Sequence, residues 1–238
     1  MEFKRVLKVA AAAFACVAVL YVCVGLFGGR PELLQGLKEQ YAGGSGMPVI
    51  GAGRLYFLRS AVTAVLILVN VIVFLLETRA GGSTKTSVAL KFGAQYAPYV
   101  KRGEYYRLFT SMFLHFGVYH LLFNMYALSV LGPSLEMLFG PVRYLILYLV
   151  SGLAGNLLTL FMENRSGRSS VSAGASGCIF GLMGACLMLA LRGYGFSLQS
   201  ILTTLAVNLI YGFSSKRINM KAHLGGLLGG ACLTMLMI

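Results

Sequence analysis

Long apolar stretches without a charged residue follow one another along this chain. Seven of them occur, at 9–29, 60–76, 108–135, 144–162, 169–191, 193–215 and 222–238. Each is near or above the roughly 18–20 residues that cross a bilayer as a helix. The stretches are continuously apolar and do not alternate, and a helix satisfies its own backbone hydrogen bonds inside hydrocarbon. The pattern predicts an all-α, polytopic membrane helical bundle.

The first stretch is separated from the other six by a segment rich in glycine. Residues 30–57 contain Gly43-Gly44-Ser45-Gly46 and Pro48, which are typical of a flexible linker. The basic residues before position 9 resemble the start of a signal sequence, but the long apolar run without a cleavage signature favours a retained anchor. We therefore predict an N-terminal transmembrane helix and flexible linker over 1–57, and a six-helix core over 58–238.

Composition agrees with a membrane protein and narrows its partners. Hydrophobic residues form 58% and charged residues 11% of the chain, and the mean hydropathy is +0.78. The net charge of +13 is scattered through the connecting segments, which favours contact with the lipid bilayer and its anionic headgroups over nucleic acid. The three histidines lack zinc-site spacing, so we predict no metal and no cofactor.

The acidic residues restrict the possible chemistry further. All seven are glutamates, so the chain contains no aspartate. An aspartyl intramembrane protease and a Ser-His-Asp triad are both excluded. If the chain carries a nucleophile, the plausible arrangement is a Ser-His pair.

Three polar clusters interrupt the apolar stretches, and polar side chains inside a membrane are costly enough to suggest function. They are His120 with Asn124, the Gly174–Gly177 segment around Ser176, and His223. Short connectors make successive helices alternate in direction, so the second, fourth and sixth core helices begin on the same side of the membrane. The sequence therefore predicts that the three clusters share one face and a similar depth.

Glycines at i, i+4 spacing accompany two of these clusters. Gly177 and Gly181 follow the serine, while Gly226 and Gly230 follow the histidine. Small residues at this spacing allow two membrane helices to approach closely, which would bring the Ser176 hydroxyl within reach of His223. Taken one at a time, the serine and the glycines are more simply explained by helix packing, whereas a lone histidine fits a structural role and a functional role equally well. Their joint occurrence at one depth favours function.

These residues resemble the rhomboid family of intramembrane serine proteases over positions 58–238. The matching motifs are His120-Leu121-Leu122-Phe123-Asn124, Gly174-Ala175-Ser176-Gly177 with Phe180-Gly181, and Ala222-His223-Leu224-Gly225-Gly226 with Gly230. Glu136 stands where the family carries a polar anchor. The family often has Trp-Arg in the loop preceding the His-Asn helix, and this chain has Tyr106-Arg107.

The resemblance implies roles for the matching positions. Ser176 would be the nucleophile and His223 its general base, and the Ser176 N–H with the His120 and Asn124 side chains would stabilise the oxyanion. Phe180 would pack on the His223 ring. The remaining matches would support the site or the fold: Gly174 and Gly177 beside the serine, and Arg107, Glu136, Gly226 and Gly230 elsewhere.

Three functions are compatible with this pattern. The first is a serine endopeptidase that cleaves single-pass transmembrane proteins, and the second is a catalytically silent rhomboid-like protein that binds clients. The third, a small transporter, is disfavoured because no internal repeat is found. We predict a multi-pass protein of the cell membrane. The resemblance places the catalytic face outside, whereas the distribution of lysine and arginine favours the opposite orientation.

Overall fold

The computed structural model of the chain describes residues 60–214 and 218–238, with backbone only for 211–214. The predicted N-terminal helix and linker over 1–57 lie outside the described residues. The helices in chain order are α1 (Ala61–Arg79), α2 (Thr86–Phe92), α3 (Ala97–Lys101), α4 (Arg107–Thr110), a 3-10 turn (Ser111–Phe113), α5 (Val118–Phe139), α6 (Pro141–Ser166), α7 (Ser176–Leu191), α8 (Leu198–Ser214) and α9 (Met220–Met237).

The described part of the chain is helical, as the sequence predicts, and six of its helices have 16 or more residues. Three helices, α1, α5 and α6, are long and apolar enough to cross a bilayer. The helices α7 and α8 are shorter and apolar. A six-span core therefore stays a prediction, whereas an all-α membrane bundle agrees with the observed helices.

Two of the apolar stretches begin several residues before the long helices that they were expected to form. The stretch at 108–135 is not one helix, because α4, the 3-10 turn and a bend precede α5. The bend contains Gly117 at φ +90°, a conformation that favours glycine and interrupts a helix. The stretch at 169–191 becomes helical only at Ser176, after Gly174 at φ +141°. A search for stretches without charged residues does not reveal these breaks, because no lysine, arginine or glutamate lies in 108–135 or 169–191.

The centre of the bundle is α7, which packs against α6 and α9. A side-chain carbon added at Gly226 would collide with the carbonyl oxygen of Gly177, and one added at Gly230 would collide with that of Gly181. The two helices therefore touch backbone to backbone, as the glycine spacing predicts.

A buried carboxylate joins α1 to α5 at the end of the bundle opposite the polar clusters. Glu136 accepts the N–H of Val62 at 2.9 Å, and the N–H and hydroxyl of Thr63 at 2.8 Å each. These bonds satisfy first-turn N–H groups that the α1 helix cannot pair itself. Glu136 thus ties two helices together.

Candidate active site

His120 is the third residue of α5, and a backbone contact determines how its ring is protonated. The Phe116 N–H donates to His120 Nδ1 at 3.3 Å. Because Nδ1 is an acceptor, a neutral ring carries its proton on Nε2. A side-chain carbon added at Gly174 would lie 2.9 Å from His120 Nε2 and 3.6 Å from Ser176 Oγ. His120 Nε2 and Ser176 Oγ therefore both border the space next to Gly174.

Ser176 is the first residue of α7, which places its backbone N–H among the donors that the helix leaves unpaired. The segment before it is held by a bond from the Gly174 N–H to the Ser111 carbonyl at 2.9 Å. Gly174 is required there for two reasons. Its φ of +141° is rarely adopted by other residues, and any side chain would collide with the His120 ring.

His223 lies in the first turn of α9 and is held by the residue it stacks on. Its ring is parallel to that of Phe180, with centroids 4.0 Å apart and an interplanar angle of 15°. Phe180 is one turn beyond Ser176 on α7, so one side chain links the two helices at the site. His223 Nδ1 has no hydrogen-bond partner among the described residues, so this stacking is the contact that fixes the plane of the ring.

The backbone contact between α7 and α9 continues up to the two proposed catalytic residues. A side-chain carbon at Gly177 would lie 3.4 Å from the carbonyl oxygen of Ala222. Ser176 and His223 are the chain neighbours of these two residues. Within residues 60–214 and 218–238, no hydrogen bond joins the serine hydroxyl to the histidine ring; catalytic hydrogen bonds often shorten only in the substrate complex.

Asn124 lies one turn after His120 on the same helix and is 6% exposed. Its Nδ2 donates to the His120 carbonyl at 2.7 Å, which uses one of its two amide protons. The second proton stays available as a donor. The structure thus groups His120, Asn124, Ser176 and His223 at the starts of α5, α7 and α9, on one side of the bundle, as the alternation of helices predicts.

Sequence reasoning missed Asn219, which holds the start of α9. Its Oδ1 accepts the Ala222 N–H at 3.2 Å, and its Nδ2 donates to Ser172 Oγ at 2.8 Å and Thr159 Oγ1 at 3.1 Å. It therefore connects the histidine helix to the segment before Ser176. An asparagine just before an apolar run is a common helix cap, and this signal could have identified it.

Arg107 lies outside the site and stabilises the loop between α1 and α5. Its guanidinium donates to the carbonyls of Leu90 at 2.8 Å and Ala94 at 3.1 Å, and it pairs with Glu104 at 2.7 Å. Hydrogen bonds from Tyr106 and Arg107 hold the pKa of Glu104 below its usual value. Tyr106 also contacts the guanidinium through its ring, so it packs on Arg107 where the family often has tryptophan.

Comparison with known proteins agrees with this arrangement. Residues 102–238 match the family model described as Rhomboid domain, which is more than half of the chain. The chain belongs to the rhomboid family. This family is embedded in membranes, which agrees with the apolar helices described above.

Several relatives of this rhomboid protein are proteases by name. It is 37% identical over 172 residues to the Rhomboid protease GluP of Bacillus subtilis (strain 168), covering 71% of this chain and 33% of that protein. It is 40% identical over 144 residues to the Putative rhomboid protease YdcA of the same organism, covering 58% and 70%. It is 38% identical over 161 residues to RHOMBOID-like protein 6, mitochondrial, of Arabidopsis thaliana, covering 64% and 50%. The chain thus spans about a third of the length of the first relative and about half of the length of the third.

Proposed function

We propose that this protein is an intramembrane serine endopeptidase that cleaves single-pass transmembrane proteins of the cell membrane. The observation that carries the proposal is the position of Ser176, which begins α7 beside the His120 ring and next to the contact with Ala222. His223 follows Ala222 in the chain and stacks on Phe180. The grouping of these side chains supports the roles of nucleophile, base and oxyanion donor that we propose for them.

The reaction follows from these groups. Ser176 Oγ bonds to the carbonyl carbon of the scissile peptide while its proton passes to His223. The C–N bond then breaks, and His223 gives the proton to the leaving amine. Water hydrolyses the acyl-enzyme by the same route, which returns the proton to Ser176.

Negative charge on the carbonyl oxygen would be stabilised by the Ser176 N–H and by the side chains of His120 and Asn124. Donors of this kind are worth about 3–4 kcal/mol each in serine hydrolases, because they are aligned before the reaction begins. His120 Nε2–H is aligned by the bond that its Nδ1 accepts from Phe116.

Reaction of the purified protein with a fluorophosphonate probe tests the proposal. We expect covalent label on Ser176 and cleavage of a reporter transmembrane substrate. Ser176→Ala and His223→Ala should each abolish both while the protein stays folded, since the two residues act as one unit. Ser129→Ala is the matched control, because this serine hydroxyl only donates to the carbonyl of Tyr126 on α5.

The alternative is a silent rhomboid-like protein that binds clients. It predicts a folded wild-type protein that neither takes the label nor cleaves any reporter. Substantial cleavage by a purified Ser176→Ala or His223→Ala variant would contradict the proposed dyad.

A further inference from the structure

A second buried carboxylate lies at the active-site end of α1, and neither the proposed mechanism nor the family motifs use it. Glu77 is 0% exposed, and its Oε2 accepts the backbone N–H of His115 at 3.1 Å. His115 belongs to the bend that directly precedes α5 and is also 0% exposed. We propose that Glu77 is a positioning residue for the oxyanion site, acting through this bend on His120.

The hydrogen bonds of the bend form a continuous connection from Glu77 to the His120 ring. Three successive N–H groups have fixed acceptors. That of His115 donates to Glu77, that of Phe116 donates to His120 Nδ1 at 3.3 Å, and that of Gly117 donates to the His115 carbonyl at 3.0 Å. The peptide that directs the His120 ring is therefore the one next to the peptide that Glu77 holds.

The His115 ring provides a second contact between the bend and the site. It meets the His120 ring edge-on, with centroids 5.1 Å apart and an interplanar angle of 66°. A shift of the bend away from α1 would move both the Nδ1 donor and this packing surface. The Nε2–H of His120 would then lose its alignment beside Ser176.

Such a shift affects the rate more than the binding of a substrate. The His120 donor acts on charge that develops during the reaction, so its misplacement lowers kcat. A displacement of about 1 Å can cost about a hundredfold in rate. This inference rests on the proposed protease activity and adds a residue to it.

Glu136 supplies a matched control within the same helix pair. It is a buried carboxylate on α5 that bonds to Val62 and Thr63 at the opposite end of α1, whereas Glu77 on α1 bonds to the bend before α5. Variants of either residue therefore lose a buried carboxylate contact made by α1. Only the Glu77 variants disturb the bend before His120.

The experiment compares purified Glu77→Leu, Glu77→Gln and Glu136→Gln with wild type, using a cleaved transmembrane reporter. Glu77→Leu keeps the buried volume filled and is preferred to alanine for folding. It should lower kcat by about tenfold to a hundredfold with KM nearly unchanged. Glu77→Gln keeps an oxygen acceptor for the His115 N–H and should restore most of kcat, whereas Glu136→Gln should lower the melting temperature without changing kcat.

A readout independent of activity is the nitrogen NMR spectrum of the imidazole rings, which is simple because the chain has three histidines. Wild type and Glu77→Gln should show His120 protonated on Nε2 alone, and Glu77→Leu should show a mixture of both tautomers. A folded Glu77→Leu with wild-type kcat and an unchanged His120 tautomer overturns the positioning role. If wild type neither cleaves nor labels while the tautomer responds to Glu77, the protease proposal fails, and what stands is that Glu77 orients the His120 ring.

Discussion

Two regions of this bundle are held together by different kinds of contact. The helices α6, α7 and α9 meet through glycines, and a side-chain carbon at Gly225 would lie only 2.8 Å from the carbonyl oxygen of Ala154 on α6. By contrast, α8 contacts the bundle through side chains of one face, where Ile201 and Leu205 are each 6% exposed. The opposite face of α8 is open, with Val207 61% exposed.

This difference explains which helices can hold the proposed catalytic residues in a precise geometry. Ser176 and His223 lie on α7 and α9, whose separation is set by backbone contact and has little freedom to vary. The described part of α8 carries no proposed catalytic residue and has few buried side chains, which is the pattern of an element with low local stability. A site that depends on fractions of an ångström is thus built on the closely packed helices.

The largest effect is expected when side-chain bulk is added between α7 and α9. Gly226→Val and Gly230→Val place side chains against the carbonyls of Gly177 and Gly181, which cannot move aside as a side chain can. We expect each to cost about 3 kcal/mol or more and to abolish cleavage. Thermal unfolding in detergent and a cleavage assay measure both effects.

Ala206→Val on α8 is the control for added bulk, since Ala206 is exposed. Its effect should stay within about 0.5 kcal/mol. Glycine variants as stable and active as this control would contradict the backbone contact between α7 and α9.

A second test uses two asparagines that make the same bond on different helices. Asn124 donates to the carbonyl four residues earlier at 2.7 Å, and Asn208 on α8 does so at 2.8 Å. If Asn124 also stabilises the oxyanion, Asn124→Ala should lower kcat about a hundredfold without eliminating activity. Asn208→Ala should leave kcat unchanged, because its only described contact is within its own helix. Equal rates for the two variants would make Asn124 a structural residue.

The smallest expected effect is the difference in stability lost when one of two buried leucines is truncated. Leu182 on α7 is 0% exposed in the core of the bundle, whereas Leu205 is 6% exposed on the buried face of α8, whose opposite face is open. Leu182→Ala should cost about 3 kcal/mol because a closely packed centre cannot collapse around the cavity. Leu205→Ala should cost about 1–2 kcal/mol less, since α8 can move inward. Chemical or thermal unfolding in the same detergent gives the difference, and equal losses would show that α8 is as firmly packed as α7.

The limits of sequence reasoning are clearest at α5, the helix that carries His120 and Asn124. The apolar stretch predicts the helix that carries His120 and Asn124, because a long, mostly apolar stretch without charged residues can cross a bilayer as a helix. It does not predict that this helix begins at Val118, since no lysine, arginine or glutamate in the preceding bend ends the stretch there. The bend depends on the φ of Gly117 and on the contact of His115 with Glu77, a residue 38 positions earlier in the chain.

The sequence by itself determined the helical class, the spacing of the glycines and the side of the bundle on which the polar clusters lie. These properties follow from local periodicity, from run length and from the alternation of helices joined by short connectors. Only the tertiary structure decided how the bend orients the His120 ring, which groups outside its own helix Asn219 bonds to, and the contact of Glu77 with the bend. The bonds of Asn219 to Thr159 and Ser172 and the bond of Glu77 to His115 join groups 60, 47 and 38 positions apart in the chain, and no local pattern specifies such partners.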